Sequence, residues 1–131
     1  MFNKKKQPPI KSLIAGGSQI DGNIAFSDGL RVDGAINGCV RAREDSASIL
    51  VISESATVVG EVTADHIIIN GTVKGPVNAN LMLELQPKAR IEGDVRYVAL
   101  EMHQGALITG QLRPILENEE KPTLKLAANN Q

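Results

Sequence analysis

Apolar residues and glycines alternate with polar residues along most of the 131-residue chain. Between residues 67 and 99, every odd position holds an apolar residue, a glycine or a proline. Over residues 20–42 the apolar positions are even, with Asp28 as the break, and over residues 98–112 they are again mainly even. A period of two sustained over this length is the geometry of β-strands with one buried face. The pattern therefore predicts an all-β body with almost no helix.

A short motif, apolar-x-Gly-x-apolar, recurs on top of this alternation. Residues 28–40 align without gaps with residues 65–77, and residues 89–95 align with residues 106–112, which gives a repeating unit of about 17–18 residues. The segment between residues 42 and 60 is longer than its counterpart, and we expect its charged stretch Arg43–Asp45 to form a loop. The motif occurs as IDGNI 20–24, VDGAI 32–36, INGCV 36–40, VVGEV 58–62, INGTV 69–73, VKGPV 73–77, IEGDV 91–95 and ITGQL 108–112.

A strand-like repeat of this length predicts a single-domain parallel β-solenoid in which each repeat forms one coil. Residues 20–112 would supply about five or six coils, and at ~4.8 Å per coil the rod would be roughly 25–30 Å long. An antiparallel sandwich is the alternative, because its strands also alternate. We place the solenoid at 16–114, between an N-terminal arm at 1–15 and a C-terminal tail at 115–131, both expected to be disordered.

The amino-acid composition limits which side chains can form the core and which cellular compartment the protein can occupy. Only 2% of the residues are aromatic, so the core must consist of aliphatic side chains, alanine and glycine. The single cysteine, Cys39, excludes an internal disulfide and fits a reducing cytosol. The chain has no run of 18 apolar residues, and Pro8 and Pro9 interrupt the position of a signal peptide. We therefore expect a cytoplasmic protein.

Charge is distributed unevenly along the chain. Residues 1–19 contain four lysines and no acid, whereas residues 20–112 contain seven basic and twelve acidic residues. Affinity for nucleic acid comes mainly from cations that neutralise phosphates, so with an acidic body we do not expect nucleic acid to be the main partner.

The sequence gives little indication of catalysis or of a cofactor. His66 and His103 are 37 residues apart, close to two coils, but a pair of histidines without a third ligand predicts no metal site. No nucleotide-binding glycine motif is present, and Cys39 has no histidine near it in sequence. We predict no enzyme activity, no cofactor and no metal. A hexapeptide-type acyltransferase remains an alternative, although its coils are nearly uniform and the motif starts here are 16, 22, 15, 18 and 17 residues apart.

The two ends of a solenoid are exposed unless something caps them. A repeat rod needs polar terminal units or a capping element to prevent end-on stacking, and the sequence shows neither. Uncapped ends predict a filament that grows end to end; the alternative is that the two tails fold over and cover both ends. The expected polymer interface consists of Ile20 and Ile24 at one end and Leu107, Ile108 and Leu112 at the other.

The N-terminal arm has the composition of a membrane-binding segment. Met1 and Phe2 are apolar, and Lys4, Lys5 and Lys6 follow at once. Each basic residue near an anionic lipid surface contributes ~1 kcal/mol, which is marginal for one subunit but additive along a filament. We expect these five residues to bind an anionic membrane surface.

These features resemble the bactofilin family. The MFNKKK start, stretches such as VDGAINGCV and INGTVKGPV, and the later IEGDV and ITGQL are similar to that family's arm and repeats. The resemblance implies a right-handed β-helix in a bacterial cytoskeletal protein. It also implies non-polar filaments formed without nucleotide on the inner face of the cytoplasmic membrane, where they scaffold cell-wall enzymes or other cell-shape proteins. Family members often have a phenylalanine in the last coil, which this chain lacks. A monomeric protein-binding solenoid is the remaining alternative.

Overall fold

The computed structural model describes residues 8–116 and shows an all-β protein. Within this range there are fifteen strands and no helix, so no described helix is long and apolar enough to cross a membrane. The strands are β1 Ile10–Ile14, β2 Gln19–Asp21, β3 Ile24–Phe26, β4 Asp28–Val32, β5 Ala35–Asn37, β6 Val40–Ala42, β7 Ser48–Ile52, β8 Thr57–Val59, β9 Val62–Ile69, β10 Thr72–Lys74, β11 Val77–Leu85, β12 Arg90–Glu92, β13 Val95–Met102, β14 Leu107–Thr109 and β15 Leu112–Pro114.

The strands pair in parallel to form a solenoid of about six coils, each with three faces. Strands β1, β4 and β7 build the first face with the second halves of β9, β11 and β13. Strands β2, β5, β8, β10, β12 and β14 build the second face. Strands β3, β6 and β15 build the third face with the first halves of β9, β11 and β13. The prediction of an all-β parallel solenoid is confirmed.

The core consists of columns, each formed by the residues at one position in successive coils. On the third face, Val40, Val62, Val77 and Val95 stack in register and are fully buried. The second face has an equivalent buried column in register, formed by Ile36, Val58, Val73 and Ile91. Burial of each such side chain contributes ~1.5–3 kcal/mol relative to exposure, so the aliphatic columns replace the missing aromatic core.

A stacked column of glycines explains the repeated motif. In six of the eight motifs the central glycine lies at the corner between the second and third faces, and three of these glycines, Gly60, Gly75 and Gly93, have φ of +152°, +154° and +150°. The other two, Gly34 and Gly71, lie at the corner between the first and second faces. A Cβ on Gly60, Gly75 or Gly93 would collide with the backbone carbonyl of the corner glycine one coil earlier. This position therefore needs glycine both for its left-handed conformation and for the close approach of two backbones.

Three local features differ from, or add to, a regular repeat. Residues 43–47 form the loop that joins β6 to β7, as the charged stretch predicts. Leu81 follows the apolar alternation but is 50% exposed, because the pairing of β11 shifts register between Ala79 and Met82. The solenoid also begins before the expected boundary at residue 16, since β1 starts at Ile10 and pairs with β4.

Candidate assembly site

The last coil leaves its inward positions uncovered. Leu112 continues the column of Val77 and Val95 but is 44% exposed, and Met102 continues the column of Ile69 and Leu85 and is also 44% exposed. The same positions one coil earlier are fully buried. The exposure therefore arises because no seventh coil covers them among the described residues. Ile108 and Leu100, at two further inward positions, are half-buried against the core.

The first coil is open in the same way. Ile14, Ile20 and Ile24 each occupy an inward position on one of its three faces, and all three are half-buried, whereas their partners Val32, Ile36 and Val40 are buried. Phe26, a further inward residue of this coil, is buried. The sequence therefore places an isoleucine on each face of this end.

The backbone edges of both end coils are also open. Within residues 8–116, β1, β2 and β3 each pair with a strand on one side alone, and so do β14 and β15. An unpaired edge presents N–H and C=O groups that can pair with another chain. Each end thus combines apolar side chains with free hydrogen-bonding groups.

Ion pairs attach each end coil to its neighbour. At the first coil, the Lys11 ammonium lies 3.0 Å from the Asp28 carboxylate of the second coil. At the last coil, the Gln111 backbone N–H donates to the Asp94 carboxylate at 3.0 Å, and the Arg113 guanidinium lies 3.6 Å from the same carboxylate. These exposed contacts are individually weak, but they link the terminal coils to the rest of the rod.

The structure places the five predicted interface residues in two separate sets. Ile20 and Ile24 lie together in the first coil, and Ile108 and Leu112 occupy inward positions of the last coil. Leu107 also lies in the last coil, but it belongs to the outward column of Thr72 and Arg90 and is 57% exposed on the side of the rod. The two sets are at opposite ends, so the structure does not bring them together within one subunit.

Sequence reasoning missed three members of these end surfaces, Ile14, Leu100 and Met102. All three continue inward columns on the first face. The signal that could have found Met102 is its 17-residue spacing from Leu85, which is the same spacing that relates Leu112 to Val95. The predicted membrane-binding residues Met1, Phe2, Lys4, Lys5 and Lys6 lie outside the described residues.

Titratable groups on the first face form two local clusters. The Ser53 hydroxyl donates to the Asp33 carboxylate, and the Arg31 Nε donates to it at 3.0 Å; these contacts hold the pKa of Asp33 below its usual range. Burial lowers the pKa of His66, against an opposing effect of the Glu84 carboxylate. His66 and His103 occupy different columns, because His66 pairs with Met82 while His103 follows Met102. The two histidines therefore do not stack.

The surface also carries a groove of about 660 Å³ beside the first face, lined in part by Arg31, Val51, Ser53 and Ile68. Neither histidine nor cysteine is among its lining residues. Cys39 lies elsewhere, exposed, and its backbone N–H donates to the Asn23 side chain at 2.9 Å.

Comparison with known proteins assigns the family. A family model described as "Bactofilin: Polymer-forming cytoskeletal" matches residues 12–113. The chain is 23% identical over 111 residues to "Bactofilin BacO" of Myxococcus xanthus (strain DK1622), and the match covers 85% of each protein. No solved structure matches the chain significantly. With the parallel solenoid and the family match over most of its length, this chain belongs to the bactofilin family of polymer-forming cytoskeletal proteins.

Proposed function

We propose that the protein polymerises end to end, through its first and last coils, into filaments that need no nucleotide. The observation that carries this proposal is that inward columns on all three faces are buried within the rod and end in partly exposed side chains at both end coils. Membership of a polymer-forming family supports self-association in general. The open coils provide the surfaces through which copies of this chain would meet.

The energetics require several side chains to act together at each junction. Burying one exposed aliphatic side chain contributes up to ~1.5–3 kcal/mol. Association of two proteins costs about 4–15 kcal/mol in lost freedom, so no single contact is sufficient. At the last coil, Leu100, Met102, Ile108 and Leu112 would be buried together, while backbone pairing between the open strands would align the two subunits.

The direct test is negative-stain electron microscopy and sedimentation of purified protein without nucleotide or metal. We expect filaments from the unmodified chain and their loss in Leu112→Arg, because the substitution would bury an unpaired charge at the junction. Leu81→Arg is the matched control, since Leu81 is similarly exposed but lies on the side of the rod. A sharp monomer from the unmodified chain, or filaments unaffected by Leu112→Arg, would contradict the proposal.

We further propose that the N-terminal arm attaches these filaments to an anionic membrane surface. Each subunit contributes one copy of Met1, Phe2, Lys4, Lys5 and Lys6, so weak binding by one arm becomes strong when many arms act along one polymer. Deletion of residues 1–7 should abolish co-sedimentation with anionic vesicles and leave filaments intact. Undiminished binding after the deletion would remove the arm from the mechanism.

The proposed cellular role is a scaffold on the cytoplasmic face of a bacterial membrane, holding cell-wall enzymes or other cell-shape proteins. This part of the proposal rests on the family and on a rod whose sides stay free when its ends are joined. A fluorescent fusion should follow the membrane and, when residues 1–7 are removed, should leave the membrane while still forming filaments. Loss of the filament by Leu112→Arg should disperse any protein that depends on the scaffold; unchanged placement of all such proteins would argue against this role.

A further inference from the structure

Three side chains with metal-binding groups converge on the first face, where the last coil pairs with the coil before it. Glu84 on β11 and Glu101 on β13 are direct partners in neighbouring coils and lie in the same outward column. His103 follows β13 two residues after Glu101, so its side chain emerges on the same side as that of Glu101. Glu84 and Glu101 are 17 residues apart, which is the repeat length.

The two distances from His103 to the glutamates match the distance between neighbouring ligands of a tetrahedral metal site. His103 Nε2 lies 3.3 Å from an oxygen of Glu84 and 3.3 Å from an oxygen of Glu101, and all three ligand atoms lie within 4.8 Å of one another. Zinc binds histidine nitrogen and carboxylate oxygen at ~2.0–2.2 Å, and two such ligands at tetrahedral angles are about 3.3–3.5 Å apart. We propose that Glu84, Glu101 and His103 bind one Zn²⁺ ion.

The surroundings favour a cation at this point. Two carboxylates that face each other on neighbouring strands repel, and no lysine or arginine forms an ion pair with either of them in the part of the chain that the structure describes. The Gln86 side-chain amide donates to the Glu84 carboxylate at 3.3 Å, and the His103 backbone N–H donates to the Leu85 backbone carbonyl at 2.9 Å. These contacts restrain two of the three ligands, as outer contacts do in metal sites.

The site faces solvent and is incomplete with three ligands. The His103 side chain is 41% exposed and that of Glu84 is 23% exposed. A tetrahedral zinc ion would therefore keep one position open for water or for a donor from another molecule. From the sequence we expect no metal site, because the two histidines are distant and only histidine and cysteine are considered as ligands. The two carboxylates come together through the register of β11 against β13.

The test is equilibrium dialysis of untagged protein against ZnCl₂, in a Cys39→Ser background because the exposed Cys39 thiol is itself a zinc ligand. We expect one Zn²⁺ per chain, and a visible spectrum of tetrahedral Co²⁺ when cobalt replaces zinc. Glu101→Gln and His103→Gln should each weaken the Kd at least about tenfold, since even outer contacts contribute 10–100-fold. Glu92→Gln is the matched control, because Glu92 is exposed on the second face.

Two outcomes would overturn the proposal. One is no zinc or cobalt binding by the unmodified side-chain cluster, which would leave His103 as an ion-pair partner of the two glutamates. The other is zinc binding that neither Glu101→Gln nor His103→Gln alters relative to Glu92→Gln. Circular dichroism checks that each variant folds. The cobalt spectrum is recorded on protein with Glu84, Glu101 and His103 intact, so it tests the site even if a variant fails to fold.

Discussion

At the scale of single residues, the corner glycines determine how closely the coils approach. Gly75 combines φ of +154° with a backbone carbonyl, that of Gly60, lying where a Cβ would be. Gly16 differs, because its φ is not positive and a Cβ there would meet the Asp33 carbonyl at 3.8 Å, an ordinary contact. Two glycines of one chain therefore have very different tolerance for a methyl group.

We expect Gly75→Ala to lower the free energy of unfolding by more than about 1–3 kcal/mol, because backbone strain and a collision between coils add together. Gly16→Ala should be close to neutral. Denaturant unfolding in the non-polymerising Leu112→Arg background measures both. Equal effects of the two substitutions would show that the corner is not sterically closed.

A second residue-scale prediction concerns Asp33. Hydrogen bonds from Ser53 and Arg31 lower the pKa of Asp33 in the folded state, so the carboxylate stabilises the fold above its unfolded pKa. This stabilisation is lost as the pH falls through the lowered folded pKa. Asp33→Asn should therefore have a lower free energy of unfolding than the unmodified chain at neutral pH, and this difference in free energy should become smaller in acid. A difference in the free energy of unfolding that stays constant from neutral pH to about pH 2 would contradict the lowered pKa of Asp33.

At the scale of elements, the irregularities are as informative as the repeat. The alternation puts Leu81 and Leu83 in the same phase, yet Leu83 is fully buried and Leu81 is half exposed, because the register of β11 shifts between Ala79 and Met82. The extra residue turns the strand around the edge of the rod. Periodicity alone does not detect such a shift, because the residue types on both sides of it remain apolar.

This shift gives a paired prediction. Leu83→Ala should lower the free energy of unfolding by about 2–5 kcal/mol, since it empties space in the core. Leu81→Ala should change the free energy of unfolding by no more than about 0.5 kcal/mol, because it removes an exposed side chain. Denaturant unfolding of the two variants, compared side by side, measures the difference. A larger loss for Leu81→Ala than for Leu83→Ala would place the shift elsewhere in β11.

Sequence reasoning predicts the fold of this chain well because the evidence is local and repeated. Each apolar-x-Gly motif specifies a strand and a corner, and a spacing of 17–18 residues specifies parallel stacking. The candidate sites depend instead on register between coils. The pairing of Glu84 with Glu101 follows from which residues face each other in neighbouring coils, and the alternation within one strand does not specify that register.

At the scale of the whole molecule, the rod has two different ends, and how they meet sets the symmetry of the polymer. A non-polar filament joins like ends, first coil to first coil and last coil to last coil, so it contains two kinds of junction. A head-to-tail filament contains one kind. Isoleucines dominate the inward positions of the first coil, whereas leucine and methionine contribute to those of the last.

The symmetry predicts the species left when one end is blocked. If the filament is non-polar, Leu112→Arg should give dimers of the 14.0 kDa chain, joined through their intact first coils. Ile20→Arg should likewise give dimers joined through the last coils. Light scattering coupled to size-exclusion chromatography distinguishes these from monomers. Monomers from both variants would indicate head-to-tail assembly, because each junction would then need both ends.

The regular stacking of the coils also gives the subunit a defined length along its axis. Six coils spaced at the usual strand separation of ~4.8 Å extend about 29 Å along the axis. A filament built by continuing that stack across its junctions would diffract like a cross-β fibre at the strand spacing, although its order comes from folded subunits. Its longer axial period would report the symmetry, at about 29 Å for head-to-tail packing and about twice that for like ends joined.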